Sequence, residues 1–213
     1  MNEADPRVKR TRRLLQDAFM ALLAERSFQA ISVQDIAERA TLNRATFYAH
    51  FEDKYALMDY LVVDSFREAL GRYLPPEASF SPRNLHLLVM AVCEFLAQFQ
   101  GHCAPADRDL HPRFEARVQQ EVRTVLLGWL RQAPVAQDAP VTMRETAASV
   151  ISWAIFGAGI EWARGERTTP ADEWARQVLA VIVGGVSRVV TDPSLAGTTH
   201  ADRPGGMVHA DAR

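Results

Sequence analysis

Apolar side chains recur at three- and four-residue intervals along most of the chain. Over residues 7–26, Leu14, Leu15, Ala18, Phe19, Leu22 and Leu23 form one stripe at helical spacing. Ser32 is a suitable N-cap for Val33-Gln34-Asp35, and Asp35 places an acid in the first turn. The short helix it predicts runs to Ala40 and carries Ile36 and Ala37 inward. Thr41-Leu42-Asn43 is a tight break, and Asn43 caps a second short helix over 44–50 that turns Phe47 and Phe51 inward. Glu52-Asp53 opens a long helix over 54–73, stopped by Pro75-Pro76.

The second half follows the same rule. A helix is expected over 83–99, then an irregular stretch over 101–112 that holds Gly101, Pro105 and Pro112. A helix over 113–131 ends before Pro134, and 133–140 is a loop. The last two helices are expected over 142–164 and 170–190. The second has Thr169 as N-cap, Pro170 at its first position, and Asp172 and Glu173 behind it. From residue 193 onward Gly, Thr, His, Asp and Pro dominate without an apolar period, which predicts a disordered tail. No stretch reads as a strand, and no internal repeat is found. The expected fold class is all-α, with about nine helices.

Composition narrows the classes. Of 213 residues 48% are hydrophobic, enough for one long domain or two short ones. A net charge of -2 argues against a protein that coats nucleic acid without specificity, but leaves room for a local basic patch. Arg7, Lys9, Arg10, Arg12 and Arg13 supply such a run. Residues 1–60 hold nine basic and nine acidic residues, so the cations must gather on one face. Two cysteines, Cys93 and Cys103, make no disulfide framework, and no apolar stretch of signal type follows the basic N-terminus; a cytoplasmic protein is expected. The longest apolar stretch, 146–160, is too short to span a bilayer, so no membrane partner is expected.

Three helices by residue 51, the second and third short and three residues apart, have the shape of a helix-turn-helix unit. The run from Phe28 to Leu57, FQAISVQDIAERATLNRATFYAHFEDKYAL, closely resembles the TetR family signature, over about residues 7–60. The resemblance implies a DNA-binding domain over 1–52, a helical ligand-binding and dimerisation domain over 53–192, and a tail over 193–213. It implies a homodimer that binds a double-stranded DNA operator as a repressor and releases it when an unknown small-molecule effector binds.

The residues agree with that implication. A helix that enters the major groove must present small or polar side chains, as Arg44, Ala45, Thr46, Tyr48, Ala49 and His50 do. Arg44 is the candidate for direct readout of guanine, and Gln34 for a base edge from the second helix. By resemblance Tyr48 and His50 touch the backbone or nearby base edges, and Lys54 contacts phosphate. By the same resemblance Ser32 bonds phosphate through its hydroxyl and the start of the second helix behind it, and Asn43, the cap of the reading helix, joins the DNA-binding set. Arg7, Lys9 and Arg10 form an arm toward phosphate or the minor groove. Family members often carry glycine where Thr41 stands, at a left-handed position that a β-branched residue occupies under strain. In isolation Tyr48 reads more readily as a half-buried aromatic, and the basic run reads equally as a solvated helix start.

Elsewhere the plainer readings compete. His102, Cys103, Asp107, Asp109 and His111 are metal-capable, but their spacing matches no zinc pattern, so no metal and no cofactor is expected. Cys93 lies among apolar neighbours and reads as an inert buried thiol. No nucleophile elbow, phosphate loop or carboxylate pair makes a case for an enzyme. The last two helices are apolar nearly all round, which requires burial on all faces and hence a partner subunit, or else a large monomeric core. Interface candidates are Val150, Ile151, Trp153, Ile155, Gly157, Val178, Ile182, Gly185, Val186 and Val189; Gly159 and Gly184 add close approach. Pocket candidates are Phe95, Phe99, Phe114, Trp129, Trp153 and Phe156, which serve equally as core. The alternative function is a helical interaction module that binds no DNA, or a regulator that needs no ligand. The discriminator is whether Arg44, Tyr48 and Lys54 share one exposed face.

Overall fold

The computed structural model describes residues 5–100, 110–133 and 140–184, with side chains throughout except at 99 and 100. Among these residues every regular element is helical. Helices α1 (Pro6–Glu25), α2 (Val33–Arg39) and α3 (Arg44–Tyr48) form the N-terminal unit, with a one-turn 3₁₀ helix, Phe28–Ala30, between α1 and α2. Helix α4 (Lys54–Tyr73) leads into α5 (Pro82–Gln100), α6 (His111–Gln132), α7 (Val141–Arg164) and α8 (Ala171–Gly184).

Local chemistry sets the boundaries. Asp5 caps α1 by accepting from the Arg7 N–H at 2.8 Å, and Pro6 takes a position whose N–H would be unpaired in any case. Asp53 caps α4 by accepting from the Ala56 N–H at 2.7 Å. Helix α6 begins two residues before the expected start and takes Pro112 into its first turn. Pro170 lies just outside α8 instead of at its first position, and Thr169 spends its carbonyl on the Trp162 indole N–H at 2.8 Å.

One buried cluster runs from Leu15, Phe19 and Phe47 through Leu57, Val62 and Phe66 of α4 to Leu88, Val92, Leu126 and Ile155. Helix α4 is therefore packed against both the N-terminal unit and the body. Polar pins reinforce it. Gln16 donates to Asp64 at 3.0 Å, and the Arg113 fork grips both oxygens of Asp59 at 2.8 Å. In the body α7 packs on α5 and α6, and α8 on α5. Gly159 permits the first contact. A Cβ there would stand 2.7 Å from Val92 Cγ1 and 3.1 Å from Leu96 Cδ1.

The expectation that α7 and α8 are buried on every face is not met within one chain. Helix α7 buries Ala148, Ser152, Ile155, Phe156, Gly159 and Ala163. It exposes Val150 (64%) and Trp153 (60%), and Ala154 and Gly157 lie on the same open side. Among the described residues, nothing beyond its own stretch of helix stands within 4 Å of a Cβ built on Gly157. Several sequence-based expectations lie outside the described residues: the Phe99 side chain, His102, Cys103, Asp107, Asp109, Gly185, Val186, Val189, the 134–139 loop, the end of the last helix and the 193–213 tail.

Candidate nucleic-acid interface

Each short helix of the N-terminal unit is organised by its own cap. Ser32 and Asp35 form a reciprocal capping box: the Ser32 hydroxyl accepts from the Asp35 N–H at 3.2 Å, and Asp35 accepts from the Ser32 N–H at 2.7 Å and its hydroxyl at 2.6 Å. Those bonds, with Arg26 at 3.1 Å, lower the Asp35 carboxyl to about 2. At the other end, the Arg39 fork meets Glu25 of α1 at 2.8 and 2.6 Å.

The turn between α2 and α3 closes as the sequence implies. Leu42 N–H donates to the Ala37 carbonyl at 2.8 Å, and Thr41 N–H to Glu38 at 3.0 Å. This paired pattern puts its pivot residue in the left-handed region. The pivot is Thr41, at φ 57°. A β-branched side chain thus stands where glycine would be unstrained.

Asn43 caps α3, and its side-chain oxygen accepts from the Thr46 N–H at 2.7 Å and the Thr46 hydroxyl at 2.9 Å. Phe47 is fully buried and Phe51 nearly so, with rings 5.9 Å apart, and they root the helix in the core. The opposite side presents Arg44, Ala45, Tyr48 and Ala49 to solvent. Arg44 Nη2 donates to the Tyr48 hydroxyl at 3.3 Å, and its guanidinium lies 5.8 Å from the ring centroid. The two side chains form one cationic, hydrogen-bonding unit. Gln34, exposed on α2, donates to Glu38 at 2.7 Å.

Five other candidates lie off that face. Arg7, Lys9 and Arg10 lie exposed on the first turns of α1, so the basic run is a solvated helix start. His50 is half-buried, with Nδ1 enclosed and without a hydrogen-bond partner. Burial and then the Arg12 charge push its pKa below the usual value and favour the neutral ring. Lys54 does not point away from the fold. Its ammonium donates to the carbonyls of Phe28 at 2.9 Å, Ile31 at 2.7 Å and Gln29 at 3.4 Å. Arg44 and Tyr48 therefore share an exposed face, and Lys54 turns inward beside Ser32 and Val33 in a surface groove.

The structure adds contacts that sequence reasoning passed over. Arg12 lies 5.0 Å from the Tyr60 ring centroid, and Tyr55 packs on Phe28 at 4.9 Å while Arg113 covers it at 5.3 Å. No local pattern in the sequence marks these contacts, which tertiary packing creates.

In the body, Phe95 stacks on Phe114 at 5.9 Å and meets Phe66 at 5.1 Å, all three buried. Trp129 is buried on α6, and Phe156 meets the exposed Trp153 edge-on at 6.0 Å. Phe95, Phe114, Trp129 and Phe156 are thus members of one packed core, and Trp153 lies outside it. Ile155 is wholly enclosed by its own chain, which removes it from any surface; Ile151, Val178 and Ile182 are half-buried against the core. Burial pushes the Cys93 thiol up to about 12, so it stays protonated and unreactive.

Comparison with known proteins bears on these observations. Residues 15–61 match the family described as bacterial regulatory proteins, tetR family. Over 69 residues the chain is 38% identical to YxbF of Bacillus subtilis (strain 168), an uncharacterized HTH-type transcriptional regulator. That match covers 32% of this chain and 18% of YxbF, so the chain spans under a fifth of that protein. It is 24% identical over 186 residues to the HTH-type transcriptional repressor KstR2 of Rhodococcus jostii (strain RHA1), which covers 81% of this chain and 89% of KstR2. Among solved structures, a putative transcriptional regulator of Pseudomonas aeruginosa PAO1 aligns with TM-score 0.53 at 21% identity, over 85% of this chain and 94% of that one. The transcriptional regulator FadR of Bacillus subtilis, in complex with stearoyl-CoA, aligns with TM-score 0.50 at 18% identity, over 81% and 98%. At these identities the structural likeness establishes the fold. The matched segment, which holds the capped α2, the left-handed turn and α3, is similar to the bacterial regulatory proteins of the tetR family.

Proposed function

We propose that the chain is a cytoplasmic transcriptional repressor that binds a palindromic DNA operator as a homodimer and answers to a small-molecule effector. The observation that carries this reading is the α3 surface: Arg44 and Tyr48, joined and exposed, flanked by Ala45 and Ala49, on a helix rooted by Phe47. Small neighbours let the backbone approach base edges, and the guanidinium offers a donor pair matched to guanine. A non-DNA interaction module has no need of this combination. Arg7, Lys9 and Arg10, exposed on α1, supply phosphate contacts in the same reading.

Dimerisation follows from the open side of α7. Val150, Trp153, Ala154 and Gly157, with Val181 and Val183 on α8, leave apolar area that a second copy would cover. One helix-turn-helix reads too little sequence alone, and two-fold pairing doubles the site. For the effector, the likeness in fold to a regulator crystallised with stearoyl-CoA and the apolar interior of α4–α7 favour an apolar or amphipathic molecule. Such a molecule should raise the melting temperature and lower operator affinity together, since linkage is reciprocal.

Selection of bound duplexes from a random pool tests the reading. Enrichment of an inverted repeat is the expected outcome. A pool that stays unenriched at moderate salt contradicts it.

A further inference from the structure

Lys54 occupies the first position of α4, the end of a helix where a cation is electrostatically disfavoured. Its side chain reverses that disadvantage by reaching back to carbonyl oxygens. An ammonium has three N–H donors and no more. Three acceptors converge on it: Ile31 at 2.7 Å, Phe28 at 2.9 Å and Gln29 at 3.4 Å. The Phe28 ring lies beneath it, 4.5 Å from centroid to nitrogen. These carbonyls belong to the one-turn helix and the residue after it, and the next residue, Ser32, is the N-cap of α2. A rigid path therefore runs from the start of α4 through the Phe28–Ile31 backbone to the start of α2. From there the Thr41 turn fixes α3.

We propose that Lys54 is a positioning residue for DNA binding: its ammonium clamps the backbone before α2 onto α4 and makes no phosphate contact. The proposal rests on the DNA-binding reading above. Its consequence is that the angle of α3 to the body is set partly by one side chain outside the helix-turn-helix. A planar guanidinium cannot direct three N–H groups at carbonyls that converge on one point, so arginine keeps the charge and loses the clamp.

The test uses full-length protein with Lys54→Met and Lys54→Arg, both checked for native helicity. Operator affinity is measured across a salt series, and backbone amide exchange is measured without DNA. Both variants should lose about tenfold or more in affinity, because bonds to a charged group are lost. The slope of log affinity against log salt should match wild type, because a phosphate contact would carry about 0.9 of that slope. Exchange over residues 29–35 should accelerate in both variants. A Lys54→Arg protein with wild-type affinity overturns the proposal. So does a Lys54→Met slope shallower by about one, whatever the exchange result. If wild-type protein binds no duplex, the DNA-binding reading is what fails. Exchange alone then decides the clamp: acceleration supports it and wild-type protection overturns it.

Discussion

Helix α3 has 5 residues and α7 has 24, yet each sets an aromatic side chain against solvent: Tyr48 at 49% and Trp153 at 60% exposed. Their surroundings differ. Tyr48 is bonded to Arg44 and sits one turn from a capped helix start, so its face is polar and cationic. Trp153 lies among Val150, Ala154, Gly157 and the edge of Phe156, and its face is apolar. A polar face stays hydrated until a charged partner displaces the water. An apolar face of this size is a cost in water, and burying it is favourable. The same exposure therefore has opposite meanings, and the neighbours decide which.

Trp153→Arg is the substitution expected to separate the two faces most widely. Trp153 is already exposed, so the isolated chain should keep its fold with a small change in stability. The dimer should fail by light scattering, and operator affinity should fall by about a thousandfold, toward the level of a single half-site. A dimer that survives with full DNA binding would remove α7 from the interface.

Phe47→Ala attacks the root of the other face. Phe47 has no exposed surface, and truncating such a phenylalanine costs about 3–5 kcal/mol. Denaturant unfolding should show this loss, and DNA binding should fall with it. Because α4 shares one core with α1–α3, the transition should shift as a whole.

How much of this was legible depends on the range of the contact. Ser32 and Asn43 were readable as caps because a cap is settled within three residues. Thr41 was readable only through the family resemblance, which places glycine at that position. The orientation of α7 was not readable. Apolar residues surround it, so its inward face is chosen by α5 and α6, and Ile155 and Trp153 cannot be told apart by type. The bonds of Lys54 to backbone carbonyls were not readable for the same reason. Its acceptors lie 23 to 26 residues back along the chain, and no local pattern marks them. Arg7 to Arg10 were readable as cations at a helix start, and the Asp5 cap with Pro6 puts that start within one residue of the one expected.

Thr41→Gly should stabilise the protein. A non-glycine residue in the left-handed region costs on the order of 1–3 kcal/mol, partly offset by the greater freedom of glycine in the unfolded chain. A net gain of roughly 1 kcal/mol, or about 2–4 °C in melting temperature, is expected by thermal unfolding. An unchanged or lowered melting temperature would mean that the turn absorbs the threonine without strain.

The smallest effect is in acid. The folded Asp35 carboxyl lies at about 2, below its ordinary value of 3.8, so the capping box contributes stability above pH 3.8. That contribution is lost as pH falls from there through about 2. Asp35→Asn should flatten this part of the pH–stability curve, as followed by circular dichroism. An identical acid limb in both proteins would show that the box is not formed in solution.

The central claim is that α3 reads DNA sequence through Arg44. The most direct measurement is site selection from random duplexes, run side by side with wild type and Arg44→Ala. Wild type should recover an inverted repeat. The variant should recover the same repeat with the preference relaxed at one position per half-site, a cost of about 1–3 kcal/mol per contact. An identical motif from both proteins, or no motif from either, would contradict the account.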